Sequence, residues 1–272
     1  MYKLVSVDMD GTLLNSKGEI SSENLTAIKE AISKGVKVVI TTGRGIKSIE
    51  KFIEEIGLRN ENEYVITNNG VSIHSTKTLK CINATTIESE DIKKLCLFGI
   101  ESGAYIHMYD YNTESCYVLE ENNYTKFERD YVGMPTFIDP NFYENINKNE
   151  KAFKVLYFGV KEKMDELYNN MPEFIKNKFA IVRSLPIAIE IFSKECNKGN
   201  AVRDLAKRFN ITMDQVISIG DQNNDFEMIK FAGLGIAMGN AVDRIKNVAD
   251  YITDTNDNNG VAKVINKFIL KV

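Results

Sequence analysis

The sequence contains no tryptophan, and in 272 residues it has only four prolines, four cysteines and two histidines. Four prolines and 17 glycines are too few for a collagen-like or linker-dominated chain. The cysteines, Cys81, Cys96, Cys116 and Cys196, include no C-x-x-C pair, which leaves a zinc ribbon or a thioredoxin-like site unsupported. A chain of this length does not need disulfide staples, so free and mostly buried thiols in a reducing compartment are expected. His74 and His107 alone are a poor basis for a histidine-centred active site. A basic excess is also missing: Lys and Arg number 34 against 38 Asp and Glu, net −4, which argues against a nucleic-acid binder. No apolar run approaches the ~18–20 residues that cross a bilayer, and no basic segment precedes an apolar stretch at the start. No membrane partner and a cytoplasmic location are the expectation.

What the chain does have is two stretches of alternating strand and helix patterns. Residues 3–9 read as a short buried strand, followed by a helix capped by Ser21 or Ser22 with Leu25, Ile28 and Ile32 on one face and Gly35 at its end. A β-branched strand covers 36–42. An amphipathic helix carries Ile46, Ile49, Phe52, Ile53 and Ile56, and a third strand covers 64–67. This spacing means βαβ units and a parallel sheet. Asn69-Gly70 before Val71–His74 is a hairpin-type signal. The same grammar returns in a helix over 201–209, strands at 216–219, 234–238 and 251–253, and a helix ending near Phe268. Between them, from about 83 to 188, the composition shifts toward Tyr, Asn and Glu and the elements read as a separate α+β module.

In an open parallel sheet, ligands bind beyond the carboxyl ends of the strands, near the point where strand order reverses. Four clusters fall there: Asp8-Met9-Asp10-Gly11-Thr12, Thr41-Thr42-Gly43-Arg44, Lys198-Gly199 and Gly220-Asp221-Gln222-Asn223-Asn224-Asp225. Asp8, Asp10, Asp221 and Asp225 repel one another unless a cation sits among them, and an all-oxygen donor set without His or Cys suits Mg2+. Lys198 and the backbone N–H groups near Met9 and Gly43 suit an anion. Together these groups make a phosphoryl site, in which one carboxylate can attack phosphorus and a second can move the proton. Competing motifs fail. Asp221-x-Asn223-x-Asp225 begins like an EF-hand loop but has Phe226 at the sixth position and Ala232 at the twelfth. Gly233-x-Gly235 does not continue into a dinucleotide fingerprint.

Asp8-x-Asp10-Gly11-Thr12, Thr42-Gly43-Arg44, Lys198-Gly199 and Gly220-Asp221-x-x-Asn224-Asp225 resemble the four ordered motifs of the haloacid-dehalogenase-like phosphohydrolases, and the large insert resembles the cap of their Cof-like branch. The resemblance covers the whole chain. It implies an α/β fold: a Rossmann-like parallel-sheet core formed by 1–82 and 189–272, and an inserted α+β cap at 83–188 that selects the substrate. It implies that Asp8 is the nucleophile and Asp10 the general acid/base. Asp8, the Asp10 main-chain carbonyl and Asp221 would hold Mg2+. Met9, Thr42, Gly43, Lys198 and Asn224 would bind phosphate, with Asp225 supporting the metal through water or neighbouring ligands. The expected reaction is Mg2+-dependent hydrolysis of small phosphorylated metabolites, sugar phosphates or related esters, through an aspartyl phosphate. A phosphotransferase or phosphomutase using the same intermediate is the alternative; a non-catalytic module would have lost one of these residues. Tyr105, Tyr109, Tyr117, Arg183 and His107 are candidates for contacts made by the insert. The sequence leaves the oligomeric state open, a monomer included.

Overall fold

The computed structural model describes residues 1–271. The chain opens with β1 (Leu4–Val7), α1 (Ser22–Ser33), β2 (Lys37–Ile40), α2 (Ile46–Ile56), β3 (Tyr64–Thr67), β4 (Ser72–Ser75) and β5 (Cys81–Ala84). It continues through β6 (Ile87–Glu88), α3 (Ser89–Glu101), β7 (Tyr105–Asp110), β8 (Cys116–Val118), α4 (Asn123–Lys126), β9 (Thr136–Ile138), β10 (Lys151–Phe158), α5 (Lys161–Asn169), α6 (Glu173–Lys178), β11 (Phe179–Leu185) and β12 (Ala188–Ser193). It closes with α7 (Lys198–Arg208), β13 (Val216–Gly220), α8 (Phe226–Phe231), β14 (Leu234–Ala237), α9 (Asp243–Lys246), β15 (Tyr251–Ile252) and α10 (Gly260–Ile265). These elements form two units. One comprises Met1–Gly43, Glu50–Asn83 and the chain from Asn197 onward; the other comprises Arg44–Ile49 and Ala84–Cys196.

The first unit is built on a parallel sheet of order β15-β14-β13-β1-β2. A parallel sheet is covered on both faces, which is why β1 and β13 read as runs of aliphatic and small residues, all buried. Val7 lies level with Ile40 on one side and Ile219 on the other, so β1 and β2 end together and β13 one residue beyond. The chain leaves β1 for β2 on one flank and returns later to β13 on the opposite flank. Strand order therefore reverses at β1, and the residue after it, Asp8, steps off at the switch point.

Two details differ from the sequence reading. Helix α1 is capped by Ser21, whose hydroxyl accepts from the Asn24 amide at 3.2 Å, but its buried face is Asn24, Ala27, Ile28 and Ala31. Leu25 and Ile32 are only half-buried. The small side chains allow close packing on α10, where the Ala262 amide donates to Asn24 Oδ1 at 2.9 Å. Strand β3 also leaves the main sheet. It keeps one parallel bridge, Thr41 to Ile66, and otherwise pairs antiparallel with β4 in a three-stranded sheet with β5. The Asn69-Gly70 hairpin signal is the reason: Asn68, Asn69 and Gly70 take φ of 52, 60 and 90°, which folds β4 back on β3.

The second unit carries a mostly antiparallel sheet of order β11-β12-β10-β7-β8-β9, with β6 also paired to β10. β12 pairs with β10 and β11, which brings the chain up to Cys196 into this unit. One face of the sheet presents Ile106, Met108, Val155, Tyr157, Ile189 and Ile191 to an apolar core shared with Ile92, Leu95 and Cys96 of α3 and Met164 of α5. The alternate residues put charge on the other face. Lys154 and Glu190 form a buried ion pair at 2.7 Å, the Lys154 ammonium lies 4.5 Å from the Tyr109 ring centre, and the Tyr109 hydroxyl donates to buried Glu128. All four cysteines are free thiols, three of them buried. Among the described residues no helix is long and apolar enough to cross a membrane.

Candidate active site

Asp8 follows β1 directly. Its amide donates to the Ile219 carbonyl at 3.0 Å, so the sheet hydrogen bonding continues one residue past the strand and fixes the Asp8 backbone. The chain then turns sharply, with Leu13 and Leu14 amides donating back to the Asp8 and Met9 carbonyls at 3.2 and 2.9 Å. The turn leaves Met9 buried and Asp10 exposed. Gly11 makes it possible. Its φ is +77°, and a Cβ there would lie 2.5 Å from Asp221 Oδ2. Thr12, fully buried, donates from Oγ1 to Asp221 Oδ1 at 2.8 Å. The first motif thus orients a carboxylate supplied by the last.

Lys198 opens α7, whose N-cap Asn197 accepts from the Asn200 amide at 2.8 Å. The Lys198 side chain is completely buried, and its ammonium lies 2.6 Å from Asp8 Oδ1 and 2.6 Å from Asp225 Oδ1. Asp225 Oδ2 accepts from the backbone N–H of Asp221 and Gln222, at 2.9 and 3.0 Å. Both Asp225 oxygens are therefore engaged by protein donors. Its place in the fold is to shape the Asp221 turn and to balance Lys198. Asp8, Asp221 and Asp225 bring ligand oxygens within 4.8 Å of one another. The Asp10 carboxylate is not part of that cluster; the resemblance assigns its main-chain carbonyl, not its side chain, to the metal.

Burial and the neighbouring Asp225 charge push the Asp8 carboxyl well above its ordinary value, with Lys198 pulling the other way. Burial and Asp225 likewise push Asp221 up to about 6. Burial alone would lower the Lys198 ammonium, but the charges of Asp225 and Asp8 more than offset it and hold it protonated. Three carboxylates and one ammonium leave a formal charge of −2 in a buried, all-oxygen site. That charge and donor set fit a hard divalent cation such as Mg2+. Asp221 is held by neutral donors alone, Thr12 Oγ1 at Oδ1 and Gln222 Nε2 at Oδ2, 3.3 Å away, whereas Asp225 is tied to the Lys198 ammonium.

The second motif borders the same strand ends. The Thr42 amide donates to the Ile66 carbonyl at 2.9 Å and the Thr42 carbonyl accepts from the Asn69 amide at 3.0 Å, so the Thr42 backbone is taken up within the protein. Asn224, half-buried, donates from Nδ2 to Asn69 Oδ1 at 2.9 Å. From the sequence Asn69 reads only as part of a hairpin turn; no spacing rule places it beside Thr42 and Asn224. Of the candidates in the insert, Tyr109 is buried and engaged with Glu128, Tyr117 packs on Phe137 and Phe142, and Arg183 pairs with Asp165 at 2.9 Å. Tyr105 is more than a third exposed. His107 is buried against Phe158 without a hydrogen-bond partner for either ring nitrogen, and burial pushes it down to about 3, so it is neutral.

Comparison with known proteins places this geometry in a family. A family model described as haloacid dehalogenase-like hydrolase matches residues 5–265. The chain is 37% identical over 270 residues to the 5-amino-6-(5-phospho-D-ribitylamino)uracil phosphatase YcsE of Bacillus subtilis, covering 98% of this chain and 96% of that one. A crystal structure of a haloacid dehalogenase-like hydrolase from Bacteroides thetaiotaomicron superposes with a TM-score of 0.89 at 28% identity, covering 99% and 100% of the two chains. The sugar phosphatase BT4131, of the superfamily's subclass IIB, superposes with a TM-score of 0.81 at 26% identity over 98% of each chain. The chain belongs to the haloacid dehalogenase-like hydrolases and is a phosphoric monoester hydrolase of that family.

Proposed function

We propose that this phosphatase hydrolyses small phosphorylated metabolites, sugar phosphates and related esters, through an aspartyl phosphate on Asp8. The observation that carries the reading is the Lys198 ammonium bridging Asp8 and Asp225 beside Asp221 at the switch point of the sheet. Lys198 occupies Asp8 Oδ1 and opposes the upward push of burial on that carboxyl, which leaves Oδ2 to attack phosphorus. As the P–O bond to the leaving group breaks, Asp10 gives its proton to the departing oxygen. It then takes a proton from the water that attacks the acyl phosphate, releasing inorganic phosphate and restoring Asp8. Lys198, the Thr42 hydroxyl, Asn224 and the Met9 and Gly43 amides receive the phosphoryl oxygens. Asp8, Asp221 and the Asp10 carbonyl would hold Mg2+, with Asp225 behind them; when bound it neutralises the charge that otherwise keeps a dianionic ester from a carboxylate.

The core groups recognise only what all phosphate esters share, so the insert is assigned the leaving group. A phosphate-release screen over sugar phosphates, nucleotides, cofactor phosphates and a phosphorylated ribitylaminouracil tests the reading. Release from small esters only when Mg2+ is present is the expected result. Isomerised or transferred product without net release would replace hydrolase by phosphotransferase, and equal turnover in chelator would remove the metal.

The raised Asp221 carboxyl gives the metal a pH signature. An acid whose pKa is raised on folding binds its proton more tightly in the folded protein. The metal-free fold is thus helped below the ordinary carboxylate range and loses that help as pH rises through about 6. Mg2+ must displace that proton, so it binds better above this value. The rise in Tm caused by saturating Mg2+ is expected to be several degrees at about pH 7.5 and much smaller at about pH 5. Equal shifts at both pH values would remove Asp221 from the metal site.

A further inference from the structure

The turn Asn68-Asn69-Gly70 touches three of the segments assigned to phosphate, although none of its residues belongs to the recognised motifs. The Asn69 amide donates to the Thr42 carbonyl at 3.0 Å. The Asn69 side chain accepts, through Oδ1, from Asn224 Nδ2 at 2.9 Å across a sequence separation of 155 residues. Gly70, at φ +90°, lies against the start of α7: a Cβ there would sit 2.4 Å from the Asn197 carbonyl oxygen and 2.9 Å from the Lys198 nitrogen. Asn69 is itself buried, with φ of 60°.

A carboxamide has a donor end and an acceptor end of nearly the same shape, and a phosphate oxygen can use only the donor. Left to rotate, the Asn224 side chain would populate both flips before phosphate arrives, and in one of them its carbonyl opposes the anion. An acceptor placed on one Nδ2 hydrogen removes that choice, because Nδ2 must then face Asn69 and its second hydrogen projects beside it. We propose that Asn69 is a positioning residue for phosphate: its side-chain carbonyl fixes the flip of Asn224 so that an N–H is presented to the phosphoryl group, while its amide holds the Thr42 loop alongside. The inference rests on the assignment of Asn224 as a phosphate-binding residue.

Asn69 needs the left-handed region, which glycine adopts without strain, so Asn69→Gly removes the side chain and keeps the turn. Asn69→Ser, whose hydroxyl is too short to reach Asn224, serves the same purpose if the glycine variant is insoluble. The experiment compares wild type, Asn69→Gly, Asn224→Ala and the double variant as full-length Mg2+-loaded proteins. It measures KM and kcat for p-nitrophenyl phosphate, the inhibition constant of inorganic phosphate, and the Mg2+ activation constant. Losing an oriented hydrogen bond to a charged group is expected to raise KM and the phosphate inhibition constant about 10-fold in each single variant. The Mg2+ activation constant should stay within about 2-fold, which a general loosening of the site would not allow. The double variant should be no worse than Asn224→Ala alone. Additive effects, or Asn69→Gly with unchanged phosphate inhibition, overturn the role of Asn69 while leaving Asn224 in place. Unchanged inhibition in Asn224→Ala overturns the assignment of Asn224, and the role of Asn69 with it.

Discussion

Asp8→Asn is expected to abolish turnover, lowering kcat by a factor on the order of 10^4 or more. An amide is a poor nucleophile and forms no stable acyl phosphate, so the phospho-enzyme trapped by acid quench should vanish with it. The same substitution is expected not to cost stability. Burial and Asp225 hold the Asp8 carboxyl well above its ordinary value, which means that its charge is carried at a cost in the folded, metal-free protein. A neutral carboxamide of the same shape removes that cost and can still accept from Lys198, which keeps Asp225 as its second partner. Urea unfolding without Mg2+ should therefore place Asp8→Asn at or above wild type while activity is lost, the pattern of a site whose charge serves chemistry at the expense of the fold. Near-wild-type phosphate release, with contaminating phosphatase and deamidation excluded, would show that Asp8 is not the nucleophile.

How much of this was legible in the sequence depends on where each residue's identity is decided. Asp8, Asp10, Gly11 and Thr12 could be read because chemistry and a sharp turn dictate residue type at fixed offsets from a strand end. Gly11 shows both constraints at once, needing a positive φ and leaving space for the Asp221 carboxylate. The parallel sheet was readable for a related reason: β1 and β13 are buried on both faces and carry no polar interruption larger than serine. The α1 face was misjudged because Leu25 and Ile32 outweigh Ala27 and Ala31 in any hydrophobic pattern. Packing on α10 instead favours small residues and a buried Asn24. The antiparallel β3–β4 pairing was legible in Asn69-Gly70; the loss of all but one bridge between β3 and the parallel sheet was not, since a run of four buried residues fits either sheet.

The stretch between β8 and β10 had no readable period at all. It holds one turn of helix at Asn123–Lys126, a wider turn at Phe127–Val132 and the three-residue β9, each too short to show its repeat. Asn69 and the double engagement of Asp225 were hidden for a different reason. Both depend on contacts made only after distant segments meet, and neither contact leaves a spacing rule behind. The resemblance implies only that Asp225 stands behind a metal. The fold uses it first as a strut, tying the Asp221–Gln222 backbone to Lys198.

That strut makes Lys198→Met the substitution with the largest expected effect on the fold. Methionine fills much the same volume without charge, so the loss is electrostatic. The buried ammonium sits 2.6 Å from both Asp8 and Asp225, and removing it leaves two carboxylates facing each other with no counter-charge. Breaking a buried ion pair by deleting one partner costs about 3–5 kcal/mol, and here one deletion strands two partners. The direction with pH follows from the carboxyls. Without Lys198 the Asp8 carboxyl, already raised, loses the one neighbour that lowers it and moves further up. Protonation then relieves the repulsion, so the deficit against wild type should be largest at about pH 7.5 and shrink toward about pH 5. Catalysis should fall by a factor on the order of 10^3, with the acid limb of the pH–rate profile displaced to higher pH because the nucleophile now ionises later. Urea unfolding at the two pH values and a pH–rate profile measure these effects separately. If Lys198→Met stays within about 1 kcal/mol of wild type at neutral pH and keeps its profile in place, the ammonium is neither the counter-charge of the site nor the group that opposes the upward push on Asp8.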